Sequence, residues 1–173
     1  MKMNFSRLLI FFLAIFILSI FLFSLDKVKV YDTKNLVGQN ISNFEIKSIN
    51  NKEKINEELL KKNRFTLINF WASWCAPCRV EHKYLIKIKK NSQNLKILGI
   101  NFKDKESEAI RFISEFGNPY YLLGKDLDGR TSISFGIYGI PESILVDKNL
   151  KIIKKFVGPI NQEDYKTILQ LTK

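Results

Sequence analysis

Cys75 and Cys78 are the only cysteines in the 173-residue chain, and two residues separate them. A cysteine thiolate can attack a disulfide, and a second cysteine nearby can then resolve the mixed disulfide that forms. A stabilising framework in an exported domain normally uses several widely spaced pairs, and so short a loop restrains the unfolded chain little. The pair therefore indicates redox chemistry rather than structural cross-linking.

The segments on either side of the pair should favour a thiolate at Cys75. Residues 65–71 are almost continuously apolar, which is typical of a strand buried on both faces. After Pro77 the apolar residues recur with helical spacing. N–H groups and the dipole at the start of a helix stabilise a thiolate. We therefore expect Cys75 to attack, Cys78 to resolve the intermediate one turn later, and Trp74 to cover the site.

Strand and helix patterns alternate through residues 38–173. The expected elements are strands at 44–49 and 97–102, a helix at 55–62, a helix capped by Asp104 and stopped by Gly117, a hairpin of 143–147 with 151–157, and a last helix opened by Asn161. This order predicts an α/β fold in which helices flank a mixed sheet.

Residues 8–25 contain no charged side chain, and their number is close to the roughly 20 apolar residues that cross a bilayer. Lys2 and Arg7 precede this run, which favours a cytoplasmic N-terminus at residues 1–7. A cleaved signal peptide is the alternative, but no clean small-x-small site precedes Asp26. We expect a transmembrane signal anchor at 8–25, a linker at 26–37 and an exported domain at 38–173.

The formal charge of +11 raises the question of a nucleic-acid partner. The lysines are scattered and do not interleave with aromatics in a recognisable nucleic-acid motif, so we expect no such partner. Cys75, Cys78 and His82 would give a metal three ligands, whereas structural zinc takes four and this chain has no other histidine. We expect neither a metal nor another cofactor beyond the cysteine pair itself.

Six segments occur in an order that is similar to one known family. They are Asn-Phe-Trp-Ala-Ser-Trp-Cys-Ala-Pro-Cys-Arg-Val-Glu-His at 69–82, Gly-Ile-Asn-Phe-Lys-Asp at 99–104, Gly-Asn-Pro-Tyr at 117–120, Asp-Leu-Asp-Gly at 126–129, Gly-Ile-Tyr-Gly-Ile-Pro-Glu at 136–142 and Val-Gly-Pro at 157–159. Together they resemble the thioredoxin superfamily, and within it the CcmG/DsbE type, the thiol–disulfide interchange proteins of cytochrome c maturation.

The resemblance implies a thioredoxin-like fold with a cis bond before Pro141, which would face Cys75 and present the backbone of Ile140 to a bound substrate strand. It also implies a periplasmic reductant held at the inner membrane. Electrons would arrive from a membrane thiol transporter. They would pass to oxidised apocytochrome c or to a thiol protein of the maturation machinery.

One residue departs from ordinary thioredoxins, which carry a buried Asp where this chain has Asn69. Because an amide cannot take up a proton as a carboxylate does, we expect another group to assist Cys78. The candidates are Glu81 and Glu142, and the alternative makes both of them surface carboxylates. Two other functions stay open: a general extracytoplasmic disulfide reductase, and a non-catalytic docking module of the haem-handling machinery.

Overall fold

The computed structural model describes residues 5–25, 36–41, 43–49 and 53–173. The chain divides into two units, Met1–Asp32 and Thr33–Lys173, and the first contains helix α1, Phe5–Leu25. Counting only described residues, no helix is both long and apolar enough to cross a membrane. The span expected at residues 8–25 stays a prediction. Residues 26–35 of the expected linker lie outside the described residues.

The second unit is built on a seven-stranded mixed sheet. Its strands are β1 (Glu45–Ser48), β2 (Lys54–Asn56), β3 (Phe65–Trp71), β4 (Leu95–Phe102), β5 (Leu122–Asp126), β6 (Glu142–Asp147) and β7 (Ile152–Val157). The helices are α2 (Glu57–Lys61), α3 (Ala76–Asn91), α4 (Glu106–Phe116), α5 (Arg130–Ser134) and α6 (Gln162–Leu171). In space the strands lie in the order β2-β1-β5-β4-β3-β6-β7. Strand β4 is parallel to β3 and β5, and the other neighbours are antiparallel.

Strand β3 lies between β4 and β6 and separates two apolar layers. Leu67 and Trp71 belong to the layer that contains the buried residues of α3, α4 and α6. Ile68 and Phe70 belong to the opposite layer, as expected from the alternation of side chains along a strand. Because both faces of β3 are covered, its sequence is apolar without alternation. The predicted α/β fold with a mixed sheet flanked by helices is confirmed.

Several predicted boundaries are confirmed. Strand β3 covers the predicted residues, α3 has Cys75 as its N-cap, and α4 ends at Gly117, which has a φ of 89°. The last helix opens with a capping box, in which the Asn161 side chain accepts from the backbone N–H of Asp164 and the Asp164 side chain accepts in return. The hairpin of β6 and β7 is also as predicted.

The region before β3 and the region after α4 differ from the predictions. Residues 55 and 56 of the expected helix at 55–62 instead belong to β2, which pairs with β1, and only Glu57–Lys61 is helical. Strand β5 and helix α5 were not predicted. The strand contains Gly124, whose missing side chain leaves room for Ile46 of β1: a Cβ there would lie 2.2 Å from Ile46 Cδ1. Its place in the sheet thus depends on tertiary packing rather than on its own sequence pattern.

Candidate active site

Cys75 and Cys78 form a disulfide across the first turn of α3. The Cys75 Sγ also accepts a hydrogen bond of 3.2 Å from the backbone N–H of Cys78. Both residues are buried, with exposed fractions of 4% and 3%. In this disulfide form Cys75 is therefore about as buried as Cys78. Its position at the helix N-cap, where N–H groups stabilise a thiolate, is as predicted.

Asp104 fixes the loop that leads into Cys75. Its carboxylate accepts from the backbone N–H of Ser73 at 2.6 Å and from the Ser73 hydroxyl at 2.9 Å. It also accepts from the Asn101 side chain and from the backbone N–H of Lys105. The prediction that Asp104 caps α4 is wrong: the N-cap is Lys105, and no side chain caps that helix. The carboxylate is turned toward the cysteine loop, because two donors of Ser73 are available there.

Trp74 lies beside this loop and is 58% exposed. Its indole N–H donates to the backbone carbonyl of Lys103 at 3.2 Å. An open cavity of about 390 Å³ lies against it and is lined by Ser73, Trp74, Arg79, Lys103, Asp104, Lys105 and Glu108. Trp74 is thus anchored toward the end of β4 with much of its ring exposed, which leaves it available to a bound protein.

The peptide bond between Ile140 and Pro141 is cis, as the family resemblance implies. Strand β6 begins directly after it, and the register pairs Glu142 with Phe70 near the end of β3. Pro141 therefore lies at the same edge of the sheet as the loop that carries Cys75. Ile140 is half-buried and packs against both apolar layers.

Glu142 is buried, so its alternative placement as a surface carboxylate is wrong. Its Oε1 accepts from the backbone N–H groups of Tyr138 at 3.2 Å and Gly139 at 3.1 Å. Its Oε2 lies 2.7 Å from the Lys155 Nζ. These contacts stabilise the turn that precedes Pro141. They give Glu142 a structural task at the site, whereas its expected assistance to Cys78 stays a prediction.

Glu81 is also buried, and its surface alternative is likewise wrong. It lies three residues after Cys78 on α3. Its Oε1 accepts from the Asn69 Nδ2 at 2.8 Å and its Oε2 from the backbone N–H of Ile160 at 2.9 Å. Asn69 therefore does not take over the role of the thioredoxin Asp. It donates a hydrogen bond to the carboxylate of Glu81 on the neighbouring helix α3.

Burial raises the pKa of Glu81 from 4.5 to about 7, because the charged form loses its hydration. The hydrogen bonds from Ile160 and Asn69 act in the opposite direction, since they favour the carboxylate. A group with a pKa near neutrality can both accept and return a proton at physiological pH. Glu81, three residues after Cys78 on α3, is thus suited to act as a general acid and base.

His82 and Arg79 are held by backbone carbonyls. The Nε2 of His82 is 2.9 Å from the Gly117 carbonyl, to which it donates, and burial lowers the His82 pKa. Arg79 donates to the Ser73 carbonyl at 2.9 Å and lies over the rings of Phe112 and Phe116. His82 is therefore a packed residue of α3, with its ring against Phe112.

Sequence reasoning missed three residues that complete this site. Tyr120 donates its hydroxyl to the Asn69 Oδ1 at 3.0 Å, and Ser143 accepts from the Asn69 Nδ2 at 3.0 Å. Lys155 neutralises Glu142. Tyr120 could have been noticed in the Gly-Asn-Pro-Tyr segment. Ser143 and Lys155 carry no local signal, because their roles arise from the pairing of β3, β6 and β7.

A disulfide across the first turn of a helix, a cis-proline at the adjoining sheet edge and a buried carboxylate after the second cysteine define a thioredoxin-like redox domain. The Redoxin family matches residues 36–169. The chain belongs to this family.

The chain is similar to two curated relatives and to one solved structure of this type. The thiol:disulfide interchange protein CycY of Rhizobium leguminosarum bv. viciae is 48% identical over 98 residues, which cover 57% of this chain and 52% of that protein. The thiol:disulfide interchange protein DsbE of Vibrio cholerae serotype O1 is 34% identical over 134 residues, 78% of this chain and 72% of that protein. A putative DsbE from Chlorobium tepidum has a TM-score of 0.67 at 23% identity, covering 78% of this chain and 93% of that chain, which supports the fold.

These matches confirm the resemblance to the DsbE type of thiol:disulfide interchange protein. The chain spans only 52% to 62% of the length of three curated relatives that it matches, CycY among them.

Proposed function

We propose that this chain is a thiol:disulfide oxidoreductase that works as a reductant in cytochrome c maturation. Its substrate would be the disulfide of the haem-attachment cysteines of apocytochrome c, or that of a thiol protein of the maturation machinery. The observation that carries the proposal is the Cys75–Cys78 disulfide at the start of α3, with Glu81 buried one turn beyond it. The relatives named as thiol:disulfide interchange proteins support it.

The reaction begins with both cysteines reduced. The Cys75 thiolate attacks one sulfur of the client disulfide, and the other client sulfur leaves as a thiolate. The Cys78 thiol gives up its proton and attacks the Cys75 Sγ, which releases the second client sulfur. Two electrons thereby pass to the client, whose two thiolates take up protons from solvent, and the chain is left with the disulfide seen here.

Glu81 is the group that we assign to the proton of Cys78. A base is needed only at the second step, because the helix start already favours the thiolate of Cys75. With a pKa of about 7, Glu81 can take this proton and return it when the disulfide is reduced again. Trp74, Ile140 and Pro141 would receive the client strand at the sheet edge beside Cys75.

Our proposal includes a membrane anchor at residues 8–25, supported by the charge-free sequence and by Lys2 and Arg7 before it. The domain would lie in the periplasm, tethered to the inner membrane. A membrane thiol transporter would then keep Cys75 and Cys78 reduced in an oxidising compartment. Protease protection of the intact chain in spheroplasts tests this orientation: the domain should be digested from the outside and the N-terminus protected.

Trapping tests the client. In cells that carry Cys78→Ser, the mixed disulfide on Cys75 cannot resolve, and it should hold apocytochrome c or a maturation thiol protein. Cys75→Ser is the matched control and should hold neither. Unrelated exported proteins on Cys75 would indicate a general reductase instead, and a wild-type chain unable to reduce a model disulfide repeatedly would indicate a docking module.

The redox state in cells tests the direction. Cys75 and Cys78 should be mostly dithiol in unperturbed cells and should become disulfide when the membrane thiol transporter is removed. A pair that is mostly oxidised in unperturbed cells contradicts the proposed role as a reductant and indicates an oxidase.

A further inference from the structure

We propose that the Tyr120 hydroxyl is a positioning group for proton transfer at Cys78: it fixes the orientation of the Asn69 amide and thereby makes Asn69 a donor to Glu81. This inference rests on the proposed role of Glu81. It assigns a function to a tyrosine that lies on a loop far from the cysteines in sequence.

The ring of Tyr120 is held on both sides. It stacks on Trp71 with ring centroids 5.5 Å apart and an interplanar angle of 19°. On another side it lies against the backbone of Gly99, where a Cβ would be 2.7 Å from the Tyr120 Cδ1. Gly99 is the register partner of Asn69 in the β3–β4 pair. The hydroxyl therefore reaches Asn69 from a ring that has little freedom to move.

The Asn69 side chain uses all of its polar groups. Its Oδ1 accepts from the Tyr120 hydroxyl at 3.0 Å, and its Nδ2 donates to the Glu81 Oε1 at 2.8 Å and to the Ser143 Oγ at 3.0 Å. A flipped amide would bring Oδ1 against a carboxylate oxygen of Glu81. It would also take from the buried Tyr120 O–H the acceptor that it has here, the Asn69 Oδ1.

The hydroxyl can hold this role throughout the working pH range. Burial raises the pKa of Tyr120 well above its usual value, and the nearby charge of Glu81 adds to this effect. Tyr120 therefore stays protonated and keeps donating. The Tyr120 and Ser143 hydroxyls can each donate or accept, but only in the observed orientation does the Tyr120 O–H have the Asn69 Oδ1 as its acceptor while Glu81 has the Asn69 N–H as its donor.

Removing the hydroxyl should weaken the donation to Glu81. In Tyr120→Phe the ring and its packing remain, but the Asn69 Oδ1 loses its buried donor and the amide is free to rotate. The carboxylate of Glu81 then loses part of its stabilisation, and its proton affinity rises. Because hydrogen bonds to a charged group are strong, we expect an upward shift of about one pH unit in the step that depends on Glu81.

Dithiobis(nitrobenzoate) separates the two steps of the reduced protein. Attack by Cys75 releases one thionitrobenzoate, and closure by Cys78 releases the second. In Tyr120→Phe the pH midpoint of the second release should shift upward by about one unit, while the first release is unchanged. Tyr121→Phe, the exposed neighbouring tyrosine, is the matched control and should shift neither.

The Glu81→Gln variant shows whether a negative result contradicts only the role of Tyr120 or also the proposed role of Glu81. If Glu81→Gln removes the midpoint of the second release but Tyr120→Phe does not shift it, the positioning role of Tyr120 is overturned and Glu81 keeps its assignment. If Glu81→Gln leaves the midpoint in place, both the Glu81 assignment and the inference are overturned. A lower melting temperature of Tyr120→Phe without a shifted midpoint would show a purely structural role and also overturn the inference.

Discussion

Glu142 and Lys155 form an ion pair of 2.7 Å in which both side chains are almost fully buried, with exposed fractions of 5% and 2%. The Lys155 Nζ also donates to the Gly136 carbonyl at 2.6 Å. Glu142 meanwhile accepts from two backbone N–H groups of the turn before Pro141. The pair thus connects β7, β6 and that turn, and each charge depends on the other for its compensation.

Lys155→Met should lower the free energy of unfolding by about 3–5 kcal/mol, because it leaves the Glu142 charge buried without its partner. The double variant Glu142→Gln with Lys155→Met should lose less, since no uncompensated charge remains. Lys54→Met is the control: its pair with Glu45 is exposed, and we expect a change of at most about 1 kcal/mol. Urea unfolding of the oxidised domain gives these values. A Lys155→Met variant as stable as Lys54→Met would show that the pair contributes little.

Asp104→Ala should destabilise the loop that carries Cys75. It removes the acceptor for the backbone N–H and the hydroxyl of Ser73, at a cost of about 2–3 kcal/mol in unfolding free energy. The rate of hydrogen exchange at the Ser73 amide should rise by the factor that corresponds to this loss of free energy. Asp128→Ala is the control, because that carboxylate is exposed and accepts within its own turn. Equal effects of the two variants would contradict the proposal that Asp104 holds the loop before Cys75 in place.

The parts of the fold that are encoded locally could be predicted from the sequence. Strand β3 has both faces buried, so its apolar run was sufficient to locate it. The start of α3 at Cys75 and the capping box at Asn161 depend on residues within one turn of the boundary. The family segments then supplied the cis bond at Pro141, for which the residues alone gave only a weak signal.

The parts that depend on distant partners could not be predicted in this way. Asp104 had the right position to cap α4, but the donors of Ser73 lie on another loop and hold its carboxylate. Helix α5 is short and polar, and its first turn is anchored by Asp126, which accepts from the backbone N–H and hydroxyl of Ser132. The burial of Glu81 follows from the packing of α3 on the sheet and the loop at Ile160. Of these partners, Ser73 lies 31 residues from Asp104 in the sequence and Ile160 lies 79 residues from Glu81. Asp126 is only six residues before Ser132, but it belongs to β5, whose place in the sheet depends on packing against β1.

In the reduced domain, Cys75 should react with iodoacetamide faster than Cys78 at neutral pH. In the disulfide form the two are about equally buried, so the difference must come from the electrostatics of the helix start rather than from access alone. Alkylation rates of Cys78→Ser and Cys75→Ser, measured against pH, report each thiol separately. Faster labelling of Cys78 would reverse the assignment of attacking and resolving residues.

Glu81 also makes stability depend on pH. Its pKa is about 7 in the folded chain against 4.5 for the ordinary group. Between these values the folded state binds a proton that the unfolded state does not, so the contribution of Glu81 to stability is fully present below 4.5 and is lost as the pH rises through 7. His82 acts in the opposite direction, because burial lowers its pKa. Wild type and Glu81→Gln both contain His82, so the difference between their unfolding free energies at each pH isolates the contribution of Glu81.

We therefore predict that the unfolding free energy of the wild-type oxidised domain, minus that of Glu81→Gln, falls by roughly 3 kcal/mol between pH 4.5 and pH 7.5. The disulfide must stay intact, so that no thiol titrates in either state. The prediction concerns the slope, since a glutamine cannot accept from both Asn69 and Ile160 and will change the absolute stability. Glu58→Gln, at an exposed position of α2, should reproduce the wild-type slope. Parallel curves for wild type and Glu81→Gln across this range would mean that the Glu81 proton is not bound more tightly in the folded chain.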